Sequence, residues 1–196
     1  EVISGSEYFR PGDKMSLANF FTWLRILLTP VLVGFLFLSI PYKQYFAAGV
    51  FILACLTDGL DGYFARIRRE VTPFGKFLDP LADKILIGAA LISLWSLHKV
   101  SGWVVFLILG REILITILRV FASRRGISVA ASIWGKVKTV TQIPAVLWLI
   151  LDWPGATILL GVAVFFTLYS AFDYIIKWRR LLAGEKRTRV RQVPPT

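Results

Sequence analysis

The sequence contains a single cysteine, Cys55, and a single histidine, His98, among its 196 residues. One cysteine excludes an intrachain disulfide, and a thiol or imidazole metal site needs several such ligands at short spacings, which this chain does not offer. We interpret Cys55 as a small buried residue and His98 as a surface residue in a short polar connection. Acids are also scarce, with 12 Asp and Glu against 23 Lys and Arg. An acid that falls in an apolar stretch therefore needs a physical explanation.

Long apolar stretches dominate the chain. Apolar residues make up 56% of it, its mean hydropathy is +0.66, and a helix of about 20 apolar residues is long enough to cross a bilayer. The sequence predicts an all-α, polytopic membrane protein with a short interfacial helix at "SLANFF" before the first span. The six predicted transmembrane helices cover residues 20–40, 45–64, 78–97, 103–122, 133–151 and 156–176.

Both ends of the chain are polar, and basic residues collect in alternate connections. We expect residues 1–14 to be a disordered leader, 15–182 the membrane domain, and 183–196 a basic tail. The connection 66–76 has four basic residues and one acid, and residues 177–191 have seven and one. Because cytoplasmic connections carry the excess of Lys and Arg, we expect a multi-pass protein of the cell (inner) membrane with both termini cytoplasmic. The net charge of +11 then faces anionic headgroups, which explains it without a nucleic-acid partner.

Every predicted span carries at least one ionisable side chain, although a charge at mid-bilayer costs at least about 2.5–3.5 kcal/mol. In the predicted orientation most of these charges lie in the cytoplasmic half. A shared polar cavity open to the cytoplasm explains them better than separate snorkelling to the headgroups, because aspartate side chains are short. Snorkelling suits Lys84 and Asp173.

Four aspartates flank the connection between the second and third spans. Asp58 and Asp61 are three residues apart and Asp79 and Asp83 are four apart, so each pair projects from one face of its helix. The connection returns both pairs to a similar depth, where the four carboxylates can converge. Hard divalent cations, Mg²⁺ or Mn²⁺, would relieve their mutual repulsion, since all-oxygen ligation suits these ions. A divalent pair beside basic residues is suited to diphosphate chemistry.

Two glycines, Gly59 and Gly62, interrupt the same apolar stretch, at about 0.8–1.0 kcal/mol each relative to alanine in a helix. Asp-Gly is also a turn signal, so a turn is one interpretation. We favour a continuous helix because "GYFAR" remains helix-compatible beyond the glycines. Glycine in a helix lets a bulky group approach the backbone.

These residues fit the pattern D-x2-D-G-x2-A-R-x8-G-x3-D-x3-D at Asp58, Asp61, Gly62, Ala65, Arg66, Gly75, Asp79 and Asp83. The sequence thereby resembles the CDP-alcohol phosphotransferase family, and the six-span plan extends the resemblance over most of the chain. The resemblance implies that a metal pair assists transfer of a phosphatidyl group from a CDP-linked donor, CDP-diacylglycerol, to an acceptor hydroxyl, with release of CMP. It also implies a homodimer with a lateral opening for the lipid tails.

By the same resemblance, Asp58, Asp61 and Asp79 are metal ligands, and Asp83 is both a metal neighbour and the catalytic base. The residues that the resemblance assigns to the CDP-linked donor are Gly62, Ala65, Arg66, Gly75, Asn19 and Arg25.

Three further segments, "NFFTWLR", "GREILITILR" and "GKVKT", are similar to the branch of this family that makes phosphatidylglycerol phosphate. The acceptor is then glycerol 3-phosphate, a dianion, and a basic pocket would bind it. The predicted acceptor residues are Arg111, Arg119, Lys136 and Lys138. Because Glu112 adjoins Arg111, a structural ion pair remains an alternative for part of this cluster.

Two other functions remain open. One is the same transfer to another acceptor, such as inositol phosphate, serine or a phospholipid. The other is a divalent cation transporter, because carboxylates inside spans also mark ion paths. The one-sided placement of the acids and the lack of an internal repeat disfavour the transporter.

Overall fold

The computed structural model describes residues 17–68, 73–124 and 133–191, with side chains for 20–57, 81–122 and 133–179. Within these ranges the chain is all α-helical, as predicted, and each helix corresponds to one predicted span. The six helices are α1 (Leu17–Phe37), α2 (Lys43–Arg68), α3 (Pro73–Ser96), α4 (Gly102–Arg124), α5 (Ile133–Leu151) and α6 (Ala156–Arg191).

The helices at both ends of the described chain extend toward the termini beyond the predicted first and last spans. The prediction of a separate interfacial helix at "SLANFF" is wrong for the described residues, because Leu17 begins α1 and the helix continues unbroken to Phe37. Neither proline nor glycine occurs before Pro30 to interrupt it. At the other end α6 continues to Arg191 and includes much of the basic tail. Lys, Arg, Leu and Ala are good helix formers, so the polar segment extends the apolar helix without a break.

The described surface is apolar and part of the interior is polar, which is the arrangement expected for a helical bundle in lipid. Exposed large apolar side chains occur on all six helices and include Trp23, Phe46, Ile92, Trp103, Val140 and Phe165. Buried polar side chains include Thr22, Arg25, Lys138, Gln142 and Ser170. Two described segments, Phe20–Phe37 and Ala156–Arg179, have the length and hydropathy of membrane spans, with mean hydropathies of 1.9 and 1.8. The chain is a membrane protein, and a count of six spans stays a prediction.

Helix packing brings α2 and α3 together mainly through α1, with only a limited direct contact between them. α1 packs against both of them, α5 packs against α2, α3 and α6, and α4 packs against α3 and α6. Leu32, Phe51, Leu91, Ile108 and Ile150, one from each of the first five helices, are fully buried in the central apolar cluster. Only residues 69–72 separate α2 from α3, so the last turn of α2 and the first turn of α3 must lie at one end of the bundle.

The connections at the opposite end contain three residues with left-handed backbone conformations. Tyr42, His98 and Asp152 have φ values of 61°, 57° and 56°. His98 and Asp152 follow the last turns of α3 and α5, where such residues are common, whereas Tyr42 immediately precedes α2. Lys99 Nζ lies 2.6 Å from Asp152 Oδ2, which ties the α3–α4 connection to the α5–α6 connection. His98 is exposed, as predicted, whereas Cys55 is half-buried and not fully buried.

Candidate active site

The aspartate motif lies on the two helix ends that residues 69–72 join. α2 remains helical through Asp58, Gly59, Asp61 and Gly62, so the helical interpretation of the two Asp-Gly pairs is confirmed. The side chains of residues 58–80 and of Asn19 lie outside the described part of the structure. The residues whose placement there stays a prediction are Asp58, Asp61, Gly62, Ala65, Arg66, Gly75, Asp79 and Asn19.

Asp83 is the aspartate of the motif whose side chain the structure does describe. It is half-buried on α3 and lines a cavity of about 220 Å³ enclosed by α3, α4 and α5. The other lining residues are Lys84, Ile85, Ile87, Gly88, Leu109, Glu112, Ile113, Lys138, Thr139, Gln142 and Ile143. No group of three or more His, Cys, Asp and Glu lies together among the described side chains, which include only one of the four motif aspartates.

The cavity is polar toward the α2–α3 connection and more apolar toward the opposite end. On α3, Asp83 and Lys84 precede Ile87, and on α5 Lys138 precedes Ile143. Because α3 and α5 both begin at the end of the bundle where α2 terminates, the earlier residues of each helix lie nearer that end. A small ligand with a charged group and an uncharged part matches this gradient.

An ion-pair network centred on Glu112 borders the polar end of the cavity. Lys138 donates a hydrogen bond to Glu112 Oε1, and Arg111 Nη1 lies 3.1 Å from the same oxygen. Arg111 Nη2 also donates to Ser170 Oγ of α6 at 2.8 Å. The network therefore connects α4, α5 and α6 through side chains that are largely buried.

Lys84 adds a further contact between α3 and α4. Its ammonium group donates to Thr116 Oγ1, and that hydroxyl donates to the Glu112 backbone carbonyl at 2.7 Å. The snorkelling interpretation of Lys84 is wrong, because its side chain is directed at α4 on the border of the cavity.

The four predicted acceptor residues lie in two different environments, two at the cavity and two on the exposed surface. Lys138 lines the cavity, and Arg111 lies beside it in the Glu112 network. Lys136 and Arg119 are exposed, and the Arg119 guanidinium lies 6.0 Å from the centre of the Tyr174 ring. The ion-pair alternative for Arg111 is confirmed as a contact, while the role of all four residues in acceptor binding stays a prediction.

Arg25, predicted to contact the donor, is fully buried on α1. It shares one helix face with Thr22 and Thr29, and the Thr29 hydroxyl donates to the Arg25 carbonyl at 2.9 Å. α1 packs against α2 and α3, the helices that carry the aspartates. A role of Arg25 near the donor is compatible with this position and stays a prediction.

Sequence reasoning missed the uncharged polar residues of the cavity, Thr139 and Gln142. Lys138 and Gln142 are four residues apart and therefore lie on one face of α5. The i, i+4 spacing of a polar residue after Lys138 is the sequence signal that could have indicated Gln142.

Residues 15–169 match the family described as CDP-alcohol phosphatidyltransferase. The chain belongs to this family. The resemblance that the motif predicted is thus confirmed, and it extends well beyond the motif.

Relatives within the family include enzymes from several bacteria. The chain is 45% identical over 152 residues to the CDP-diacylglycerol–glycerol-3-phosphate 3-phosphatidyltransferase of Bacillus subtilis, covering 73% of this chain and 79% of the relative. It is 38% identical over 181 residues to the probable phosphatidylglycerophosphate synthase of Mycobacterium tuberculosis, covering 88% and 86%. A Rickettsia bellii enzyme with the same name as the Bacillus relative is 36% identical over 168 residues, covering 81% and 93%.

Proposed function

We propose that this CDP-alcohol phosphatidyltransferase transfers the phosphatidyl group of CDP-diacylglycerol to glycerol 3-phosphate, giving phosphatidylglycerol phosphate and CMP. Relatives named for this reaction at 36–45% identity support the choice of substrates. The observation that carries the proposal is that Asp83 and Lys138 line one cavity. A carboxylate and a buried cation beside the same space suit a phosphate-bearing alcohol.

The size of the cavity favours the acceptor as its occupant. Its volume of about 220 Å³ lies below the roughly 300–1,000 Å³ of pockets that enclose drug-sized ligands. A three-carbon phosphate needs less space than a nucleotide carrying two acyl chains. Lys138 supplies a positive charge for the phosphate, with Arg111 adjacent to it.

The donor set of the motif fits divalent ions. Asp58, Asp61, Asp79 and Asp83 offer only carboxylate oxygens, which Mg²⁺ and Mn²⁺ prefer, and the confirmed helix through the motif keeps Asp58 and Asp61 on one face of α2. We propose that these residues hold two ions. When bound, the ions neutralise the diphosphate oxygens and the charge on the departing CMP.

The protein's own groups position and activate the acceptor. Asp83 accepts the proton of the primary hydroxyl as the new oxygen–phosphorus bond forms at the β-phosphorus. The bond from that phosphorus to the CMP oxygen breaks, and Arg66 offsets the charge of the departing CMP. Gly62, Ala65 and Gly75 leave space for the cytidine and diphosphate, with Asn19 and Arg25 also at the donor. We favour direct attack because the motif has no separate nucleophile.

We further propose six membrane spans, with both termini and the active site on the cytoplasmic side of the cell membrane. The basic connections support this orientation through the positive-inside rule. Residues 15–182 then form the membrane domain, which we propose to act as a homodimer.

The reaction can be tested with purified protein, CDP-diacylglycerol and labelled glycerol 3-phosphate in detergent. We expect CMP release and lipid-soluble label that require Mg²⁺ or Mn²⁺, with little product from inositol phosphate or serine. Asp83→Asn should lower the rate by roughly 100-fold or more, the usual effect of a missing general base. Absence of CMP release, or full activity of Asp83→Asn, would reject the proposal.

A further inference from the structure

Gln142 stands out in the cavity because its amide nitrogen is buried and makes no hydrogen bond with the part of the chain that the structure describes. Its side chain lines the cavity and only 3% of the residue is exposed. Among the residues that the structure describes, none makes a hydrogen bond with Gln142 Nε2. A buried donor without a partner is unfavourable, and the great majority of such groups are satisfied. A ligand in the cavity can supply the missing acceptor atom.

The position of Gln142 relative to Lys138 indicates which part of a ligand it would meet. The two residues are four positions, or just over one helical turn, apart on the same face of α5, about 6 Å along the axis. Lys138 belongs to the charged end of the cavity and is held by Glu112. Gln142 lies one turn deeper, toward the apolar end.

The chemistry of the amide selects the ligand group. An amide NH₂ donates hydrogen bonds but carries no charge, so it matches a neutral oxygen better than a phosphate, which the neighbouring cations attract. A hydroxyl one short carbon chain away from a phosphate would place its oxygen at Gln142 while the phosphate remains near Lys138. The hydroxyl that reacts then meets Asp83, which lines the same cavity from α3.

We propose that Gln142 is a specificity-determining residue that donates a hydrogen bond to the non-reacting, middle hydroxyl of the acceptor. This inference rests on the proposed function, since it names the acceptor group that the same cavity recognises. A site that hydrogen-bonds a substrate hydroxyl discriminates strongly against an analogue lacking it, because the polar group of the site is then left without a partner.

The test compares glycerol 3-phosphate with 3-hydroxypropyl phosphate, which keeps the phosphate and the primary hydroxyl but lacks the middle one. For the unmodified protein we expect kcat/KM to favour glycerol 3-phosphate by about 10-fold or more. Gln142→Leu should reduce this preference to within about twofold, chiefly by lowering kcat/KM for glycerol 3-phosphate. An equal loss for both acceptors, or no preference in the unmodified protein, would overturn the assignment.

Two further measurements separate recognition from packing. Without substrate, Gln142→Leu should unfold in detergent at the same or a higher temperature, because it removes a buried donor that makes no hydrogen bond with any described residue. A large fall in that temperature would show a structural role and would count against the proposal. Thr167→Val is the matched control, because Thr167 on α6 is fully buried and its hydroxyl already donates to the Ala163 carbonyl at 2.6 Å. It should leave the acceptor preference unchanged.

The proposed function and this inference fail in different ways. If the unmodified protein makes no lipid product from glycerol 3-phosphate, the acceptor assignment and the role of Gln142 both fall. If it makes the product but Gln142→Leu keeps the full acceptor preference, only the role of Gln142 is rejected.

Discussion

Lys138 of α5 donates a hydrogen bond to Glu112 of α4, with 10% and 14% of the two side chains exposed. Arg111 contacts the same carboxylate, so one acid balances two largely buried cations. Charges removed from water in this way require partners, because an uncompensated charge in a buried site is costly. Glu112 thus supplies the counter-charge of both cations beside the cavity.

Glu112→Gln should destabilise the protein strongly. The substitution leaves Arg111 and Lys138 without a counter-charge, and breaking a buried ion pair from one side costs about 3–5 kcal/mol. Chemical unfolding in detergent micelles would measure the loss. Lys177→Gln is the control, because its pair with Asp173 is more exposed, at 46% for Lys177, and such pairs contribute about 1 kcal/mol or less. Equal effects of the two substitutions would contradict this interpretation of the network.

Lys138→Gln should weaken acceptor binding selectively. A hydrogen bond to a charged group contributes about 1.5–3 kcal/mol, so KM for glycerol 3-phosphate should rise roughly 10- to 100-fold. KM for CDP-diacylglycerol should change little. Lys136→Gln is the matched control, since Lys136 is exposed and does not line the cavity. Steady-state kinetics with each substrate varied in turn would check this. A larger rise in KM for Lys136→Gln than for Lys138→Gln would indicate that the acceptor phosphate binds at the exposed face of α5 and not in the cavity.

Hydropathy and spacing were sufficient to predict the helices. The bounds predicted for the fifth span, 133–151, coincide with α5 (Ile133–Leu151), and "DWPG" directly after it ends the apolar run. The helical course of α2 through Gly59 and Gly62 was also predictable, since the residues beyond them remain compatible with a helix. Local propensity and the length of the apolar run decide these features, and both can be read from the chain alone.

The pairing of charges could not be predicted in the same way. Sequence spacing put Arg111, Arg119, Lys136 and Lys138 in one basic group, but helix rotation and packing divide them between the buried Glu112 network and the surface. Which cation meets Glu112 depends on how α4, α5 and α6 pack together. An uncharged side chain such as Gln142 gives an even weaker signal, since only the surrounding cavity distinguishes it from any other polar residue in a helix.

Gly155 and Gly161 should respond oppositely to alanine. Gly155 has a φ of 84°, a conformation that disfavours any side chain, so Gly155→Ala should destabilise the protein by about 1 kcal/mol or more. Gly161 lies inside α6, where an added methyl group would meet nothing within 4 Å. Gly161→Ala should therefore be neutral or stabilise by up to about 1 kcal/mol. Unfolding of both variants in the same detergent would measure the difference, and a loss of stability at Gly161 alone would contradict the argument.

The proposed membrane orientation can be tested at the two ends of the bundle. The Lys99–Asp152 pair places the α3–α4 and α5–α6 connections at one end, whereas the strongly basic residues 66–76 and 177–191 belong to the other in a six-span arrangement. Positive connections remain cytoplasmic, so Tyr42, which is 70% exposed, should face the outside.

With Cys55→Ser as background, Tyr42→Cys should react with a membrane-impermeant maleimide in intact cells. Arg187→Cys should react only after permeabilisation, because it follows the last span on the cytoplasmic side. Labelling of Arg187→Cys in intact cells, with Tyr42→Cys protected, would reverse the orientation and place the aspartate motif away from cytoplasmic glycerol 3-phosphate.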